Sequence, residues 1–286
     1  VNFKQSVFCA AVAALVGFSA AANAASITID GITIGDGAIF ETADLFEGKD
    51  TGGPITGVGD KLLGIGIVNR ILDPGNNVLW QNGQNGRELT IHFYDYVAES
   101  FASNDLSGGM GLLFSDQILF SGGRVDLYSD STPNFSAAGT LAQGVASATD
   151  GNLWLSLAGS PIGGLGAVSG DPITLRSEGL RNGGSPFENA FNLTGTGLLD
   201  VTGGAAGAFL DTNTFGCGAS SGAPCPDDAD KTFTSSGQLG GQAGAWAFRG
   251  TGEVQDFGVI PEPGSLALVG LALAGLGLRA RRKVAV

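Results

Sequence analysis

Histidine is nearly missing from this 286-residue sequence, which carries His92 and no other. That scarcity limits the catalytic arrangements that pair a serine or cysteine with an imidazole base to those built on this one residue. His92 lies mid-run beside Tyr94 and Asp95, where a structural or surface role is expected of it. Positive charge is scarce as well, with 14 Lys and Arg against 27 Asp and Glu. A chain this acidic does not hold nucleic acid or anionic lipid by non-specific attraction. No Gly-rich loop is followed by the Lys and Ser/Thr of a phosphate-binding turn. Apolar residues at helical spacing are rare between the two ends. No catalytic set is visible, and the chain is expected not to be an enzyme.

What is abundant lies first at the ends. Lys4 precedes an apolar run from Val7 to Phe18, then Ala22-Asn23-Ala24. This basic, apolar, small-x-small order predicts a secretory signal peptide over residues 1–24, cut by signal peptidase between Ala24 and Ala25. At the other end stand Pro261, Glu262 and Pro263, an apolar segment, and the basic residues Arg279, Arg281, Arg282 and Lys283. The prolines forbid a helix across them. The 15 residues 264–278 predict an apolar helix rising only about 22 Å. That is short of a hydrocarbon core of about 30 Å, so transient membrane insertion is expected rather than a firm anchor.

The order of rigid Pro-Glu-Pro, apolar helix and basic tail over residues 259–283 resembles the PEP-CTERM sorting signal of Gram-negative bacteria. The resemblance implies handling by exosortase, a membrane protease-transpeptidase that cuts near the tripeptide. It also implies export by the general secretory route to the cell surface or extracellular matrix. Three segments are thus expected: signal peptide 1–24, exported body 25–258, sorting signal 259–286. The body keeps 9 basic and 26 acidic residues, a net charge of −17.

Of three cysteines, Cys9 falls in the signal peptide, leaving Cys217 and Cys225 around a Gly/Ser/Pro loop. In an oxidising compartment the pair reads as a disulfide, zinc being the rival with too few ligands.

The body is Gly-rich, with 49 glycines in the chain, and shows short period-2 runs broken by Gly, Asn, Asp and Pro. This predicts an all-β fold of about ten strands, a single large β-sandwich or jelly roll. Ser26–Ile29 and Ile32–Ile34 flank the turn Asp30-Gly31 as a hairpin. Leu63, Ile65, Ile67 and Ile71 are expected on one strand face, with Gly64 and Gly66 opposite. Leu89, Ile91, Phe93 and Val97 are expected on one face of the next strand, with His92, Tyr94 and Tyr96 on the other. Residues 112–120 and 124–128 read as separate strands, and Ser129–Gly151 as long loops.

Asp227, Asp228 and Asp230 form the densest acidic cluster and are the weak calcium candidates. A solvated acidic turn is the plainer reading, because calcium takes six or more oxygens. No other cofactor is indicated. Gly218-Ala219-Ser220-Ser221-Gly222 has the letters of a nucleophile elbow, yet the one histidine precedes it, contrary to that motif's order. Trp80, Trp154 and Trp246, with Tyr94, Tyr96 and Tyr128, supply either core or a stacking surface for sugars.

Two further phrases, Gly57–Gly66 and the stretch from Asn189 to Phe215, resemble segments of flocculation-associated PEP-CTERM proteins. That resemblance implies a structural or adhesive role with exopolysaccharide in biofilm or floc formation. A secreted carbohydrate-binding or polysaccharide-active protein is the alternative, since glycoside hydrolysis needs only two carboxylates.

Overall fold

Period-2 alternation between tight turns folds here into antiparallel hairpins. The computed structural model describes residues 26–183, 190–212, 229–239 and 245–256. The first hairpin joins β1 (Ser26–Ile29) to β2 (Ile32–Gly35). Its turn residues Asp30 and Gly31 both take positive φ, the twist a two-residue hairpin turn requires. Then follow β3 (Ile39–Lys49), β4 (Lys61–Leu72), β5 (Val78–Gln81), β6 (Glu88–Asp105) and β7 (Phe114–Asp130). Helix α1 (Leu141–Ala148) precedes β8 (Asn152–Ser160), β9 (Ala167–Val168), β10 (Asp171–Arg181) and β11 (Ala190–Gly203). A four-residue helix α2 (Gly207–Leu210) precedes β12 (Lys231–Leu239) and β13 (Phe248–Asp256).

Strand pairing runs β12-β13-β3-β4-β6-β7-β8-β11, and β11 pairs back onto β12. The sheet is therefore an eight-stranded closed barrel, and the expected sandwich or jelly roll is overturned. Closure leaves the wall without the edge strands that a sandwich must protect. One stave is shared by two strands. β7 pairs with β10 over residues 114–121 and with β8 over 124–129. β11 likewise pairs with β10 through Gly197 and with β8 from Leu198 onward. β8 and β10 thus run end to end, with residues 161–170 looping out between them. Residues 112–120 and 124–128 are not separate strands: 114–120 and 124–128 both belong to β7, bent at Gly122 and Gly123, whose φ values are +68° and +89°.

Eight staves leave an interior that side chains can fill. Leu45, Phe93, Phe120, Leu155, Leu157, Leu175, Phe233 and Phe248 fill it. Gly64 faces inward because a Cβ there would stand 1.8 Å from the Phe93 ring. On β4, Leu63 and Ile65 point outward, opposite Gly64 as expected. The bulge at Asn69 then turns Ile71 to the interior, against the single apolar face expected of that strand. On β6 the positive φ of Asp95 (58°) shifts the alternation, so Tyr96 and Ala98 are buried and Val97 is not.

The outward apolar residues of β3 and β4 are covered by α1, which the sequence presented as loop. Thr140 and Gln143 form a reciprocal capping box at its start. Its burial against Phe46, Ile65 and Trp246 makes a second, smaller core outside the barrel wall. The pole formed by Ile39, Leu72, Glu88, Asp130 and Asp256 is covered by the β1–β2 hairpin, where Trp154 Nε1 donates to the Ile29 carbonyl at 3.1 Å. The opposite pole, near Lys49, Lys61 and Phe248, is the barrel mouth.

Candidate functional site

The outer wall opposite the β7–β8 side carries an open groove of about 890 Å³. One register row crosses it. Thr234 of β12 pairs with Glu253 of β13, Glu253 with Glu41 of β3, Glu41 with Arg70 of β4, and Arg70 with Gln81 of β5. Strand alternation turns all five outward, so a polar stripe runs straight across five strands. Glu41 and Glu253, directly opposite, repel one another. Arg70 offsets this by donating from Nε to Glu41 Oε2 at 2.8 Å. No described side chain hydrogen-bonds to Glu253.

Beside this row, Ser236 and Thr251 share a hydroxyl–hydroxyl bond of 3.1 Å. Asn69 Oδ1 accepts the Ala43 amide at 2.9 Å, which fixes the bulge and leaves the Asn69 amide group to the groove. A second hollow of about 250 Å³ also uses Ser236 and Thr251, and extends the groove toward Gln238 and Arg249. Among the described residues no aromatic side chain lines either hollow. The surface offers hydroxyls, amides, a guanidinium and carboxylates, so it is rich in hydrogen-bonding groups. It is the reverse of the apolar band a lipid-facing barrel wall presents.

Inside the mouth lies a small apolar cavity of about 40 Å³, lined by Phe93, Phe120, Phe233 and Phe248 with Glu47, Ser177 and Ser235. Burial among these rings pushes the Glu47 carboxyl up to about 7. Glu47 lines this cavity, which has room for about three waters.

Residues 259–283 match the family model of the PEP-CTERM protein-sorting motif. The chain carries a PEP-CTERM sorting signal. With that signal the protein is one that exosortase processes and sorts for export to the cell surface. Comparison with curated proteins and with solved structures returned no match for the chain. The PEP-CTERM residues Pro261, Glu262, Pro263, Arg279, Arg281, Arg282 and Lys283 lie outside the described residues. So do Ala24 and Ala25, the cysteines Cys217 and Cys225, the Gly218–Gly222 motif, and Asp227 and Asp228. Among the described residues no helix is long and apolar enough to cross a membrane.

Asp230, the described member of the acidic cluster, is 1% exposed. Its Oδ2 accepts from the Val201 amide at 2.7 Å and its Oδ1 from the Thr212 amide at 2.5 Å. It ties β12 to β11 and to the segment after α2, a role in the core rather than in a solvated turn. Among the described residues no group of three or more His, Cys, Asp or Glu is placed to hold a metal.

His92 stacks on Tyr94, ring centroids 4.6 Å apart. Burial pushes its imidazole down, against the opposing pull of Asp126 and Asp95. Ser156 Oγ and the Tyr94 hydroxyl both donate to Asp126, at 2.6 and 3.0 Å. The aspartate therefore stands between serine and histidine, and the imidazole is not set to take the serine proton. Trp80, Trp154 and Trp246 are at most 1% exposed, so all three belong to the core and none is available for sugar stacking. The groove residues were not singled out in the sequence, because Glu41, Arg70 and Glu253 are 29 or more positions apart and meet only through strand register.

Proposed function

We propose that this exported, PEP-CTERM-sorted protein is a non-catalytic matrix component that binds exopolysaccharide along the outer groove and supports biofilm or floc formation. The observation that carries the reading is the five-strand polar row from Thr234 to Gln81 with its extension over Ser236 and Thr251. Such a stripe suits a chain of sugar hydroxyls, each exchanging hydrogen bonds with amide, hydroxyl or charged partners. The body charge of −17 favours an uncharged polysaccharide over an acidic one, which would be repelled without divalent ions to bridge.

The test is binding of the full chain to neutral exopolysaccharide from the producing strain. Asn82→Ala with Thr251→Ala removes two exposed groove side chains. At about 1 kcal/mol per lost hydrogen bond the pair weakens binding by roughly thirtyfold while leaving stability within about 0.5 kcal/mol. Unchanged binding by the double variant would remove the groove from the function. The hydrolase alternative draws on the Glu41–Glu253 pair; oligosaccharide release by the wild type, abolished in Glu253→Gln, would establish it instead.

A further inference from the structure

The covered pole holds a charged pair that the groove does not use. Lys231, the first residue of β12, and Asp256, the last of β13, are direct cross-strand partners. Both side chains are 0% exposed, and Lys231 Nζ lies 3.1 Å from Asp256 Oδ1. Nζ also donates to the Leu210 carbonyl at 2.5 Å and to the Asp230 carbonyl at 3.5 Å. Each of the three ammonium hydrogens therefore has one acceptor, two of them main-chain carbonyls fixed by α2 and by the start of β12.

Keeping both charges here is costly, because two ions have left water. Burial pushes the Lys231 ammonium toward the neutral amine, against the pull of Asp256, Asp230 and Asp211. Transfer of one proton from Nζ to the Asp256 carboxylate removes both charges at once. The two hydrogens left on Nζ stay on the Leu210 and Asp230 carbonyls. The lone pair set free then faces the Asp256 carboxyl group.

We propose that Lys231 and Asp256 condense into an intramolecular amide that joins β12 to β13 covalently. The Nζ lone pair forms a bond to Asp256 Cγ, and the Cγ–OH bond of the protonated carboxyl breaks. The departing hydroxyl takes one amine hydrogen and leaves as water. One N–H remains on the amide nitrogen, and no oxidant, reductant or cofactor enters. The cross-link closes the loop from 231 to 256 and so restricts the unfolded chain. It also sits at the last barrel residue before the sorting signal, so tension applied to the C-terminal segment meets a covalent clamp before it reaches the strand ladder. This inference does not rest on polysaccharide binding.

The experiment is tryptic peptide mapping of the exported full-length protein by mass spectrometry. An amide on Nζ blocks cleavage after Lys231. The map then contains a branched peptide joining residues 182–249 to the peptide that begins at Gly250, lighter than their sum by one water. Lys231→Arg keeps the charge and cannot form this amide, so its map returns unbranched peptides. Complete cleavage after Lys231 in the wild type, with both peptides at their encoded masses, overturns the proposal whether or not the variant folds.

Discussion

Burial moves the Glu47 carboxyl clearly away from its ordinary behaviour. Its carboxyl is raised from 4.5 to about 7 by burial alone, with no described cation or donor in compensation. The folded protein therefore holds more protons than the unfolded chain between these two values. Stability contributed by protonated Glu47 is present below pH 4.5 and is lost as pH rises through about 7. The shift corresponds to at most about 3 kcal/mol. Glu47→Gln is expected to match the wild type near pH 4.5 and to exceed it at pH 8, by an amount up to that figure, in urea denaturation at both pH values. Equal stability at pH 8 would mean that water reaches this carboxyl freely. Nothing in the sequence marks this residue: Glu47 follows Phe46 like any outward acid on a strand. Only the bulge in β3 at Ala43, between Thr42 and Asp44, decides that it points to the interior.

At the scale of elements, the critical piece is the junction where β8 gives way to β10 along one stave. A Cβ on Gly159 would stand 2.1 Å from the Gly122 carbonyl and 2.8 Å from Thr174 Cβ. Thr174 Oγ1 itself donates to the Gly122 carbonyl at 2.7 Å, so the junction is closed by backbone and side chain together. Gly159→Val forces these strands apart and is expected to cost about 3 kcal/mol or more, read as a lower urea midpoint. A variant as stable as the wild type would show that the two-strand stave does not constrain the barrel. The positions of most strands were legible because alternation and turn chemistry are local. The faces were less so: Tyr96 and Ile71 are buried because single-residue bulges at Asp95 and Asn69 invert the alternation after them. The helix over Leu141–Ala148 was marked by Thr140 and Gln143, but Gly, Ser and Ala around it dilute the apolar stripe.

For the whole molecule, the PEP-CTERM signal and the barrel are separable in sequence: the barrel's interior lining lies between Ile32 and Val254, so cleavage near Pro261 leaves it complete. Replacing Pro261, Glu262 and Pro263 together by alanine is expected to leave the barrel's urea midpoint unchanged. It is also expected to make the precursor accumulate in the membrane fraction of the producing cells, seen by immunoblot. Normal release of this variant would show that exosortase does not read the tripeptide in this chain. By itself, the sequence determined the composition of both ends, the sorting signal and the β character of the body, because each rests on residues within a few positions of one another. Closure of the barrel, the polar row across five strands and the Lys231–Asp256 contact were decided only in three dimensions. Each depends on which distant strands pair and in what register, and a shift of one residue would turn every side chain concerned to the other face.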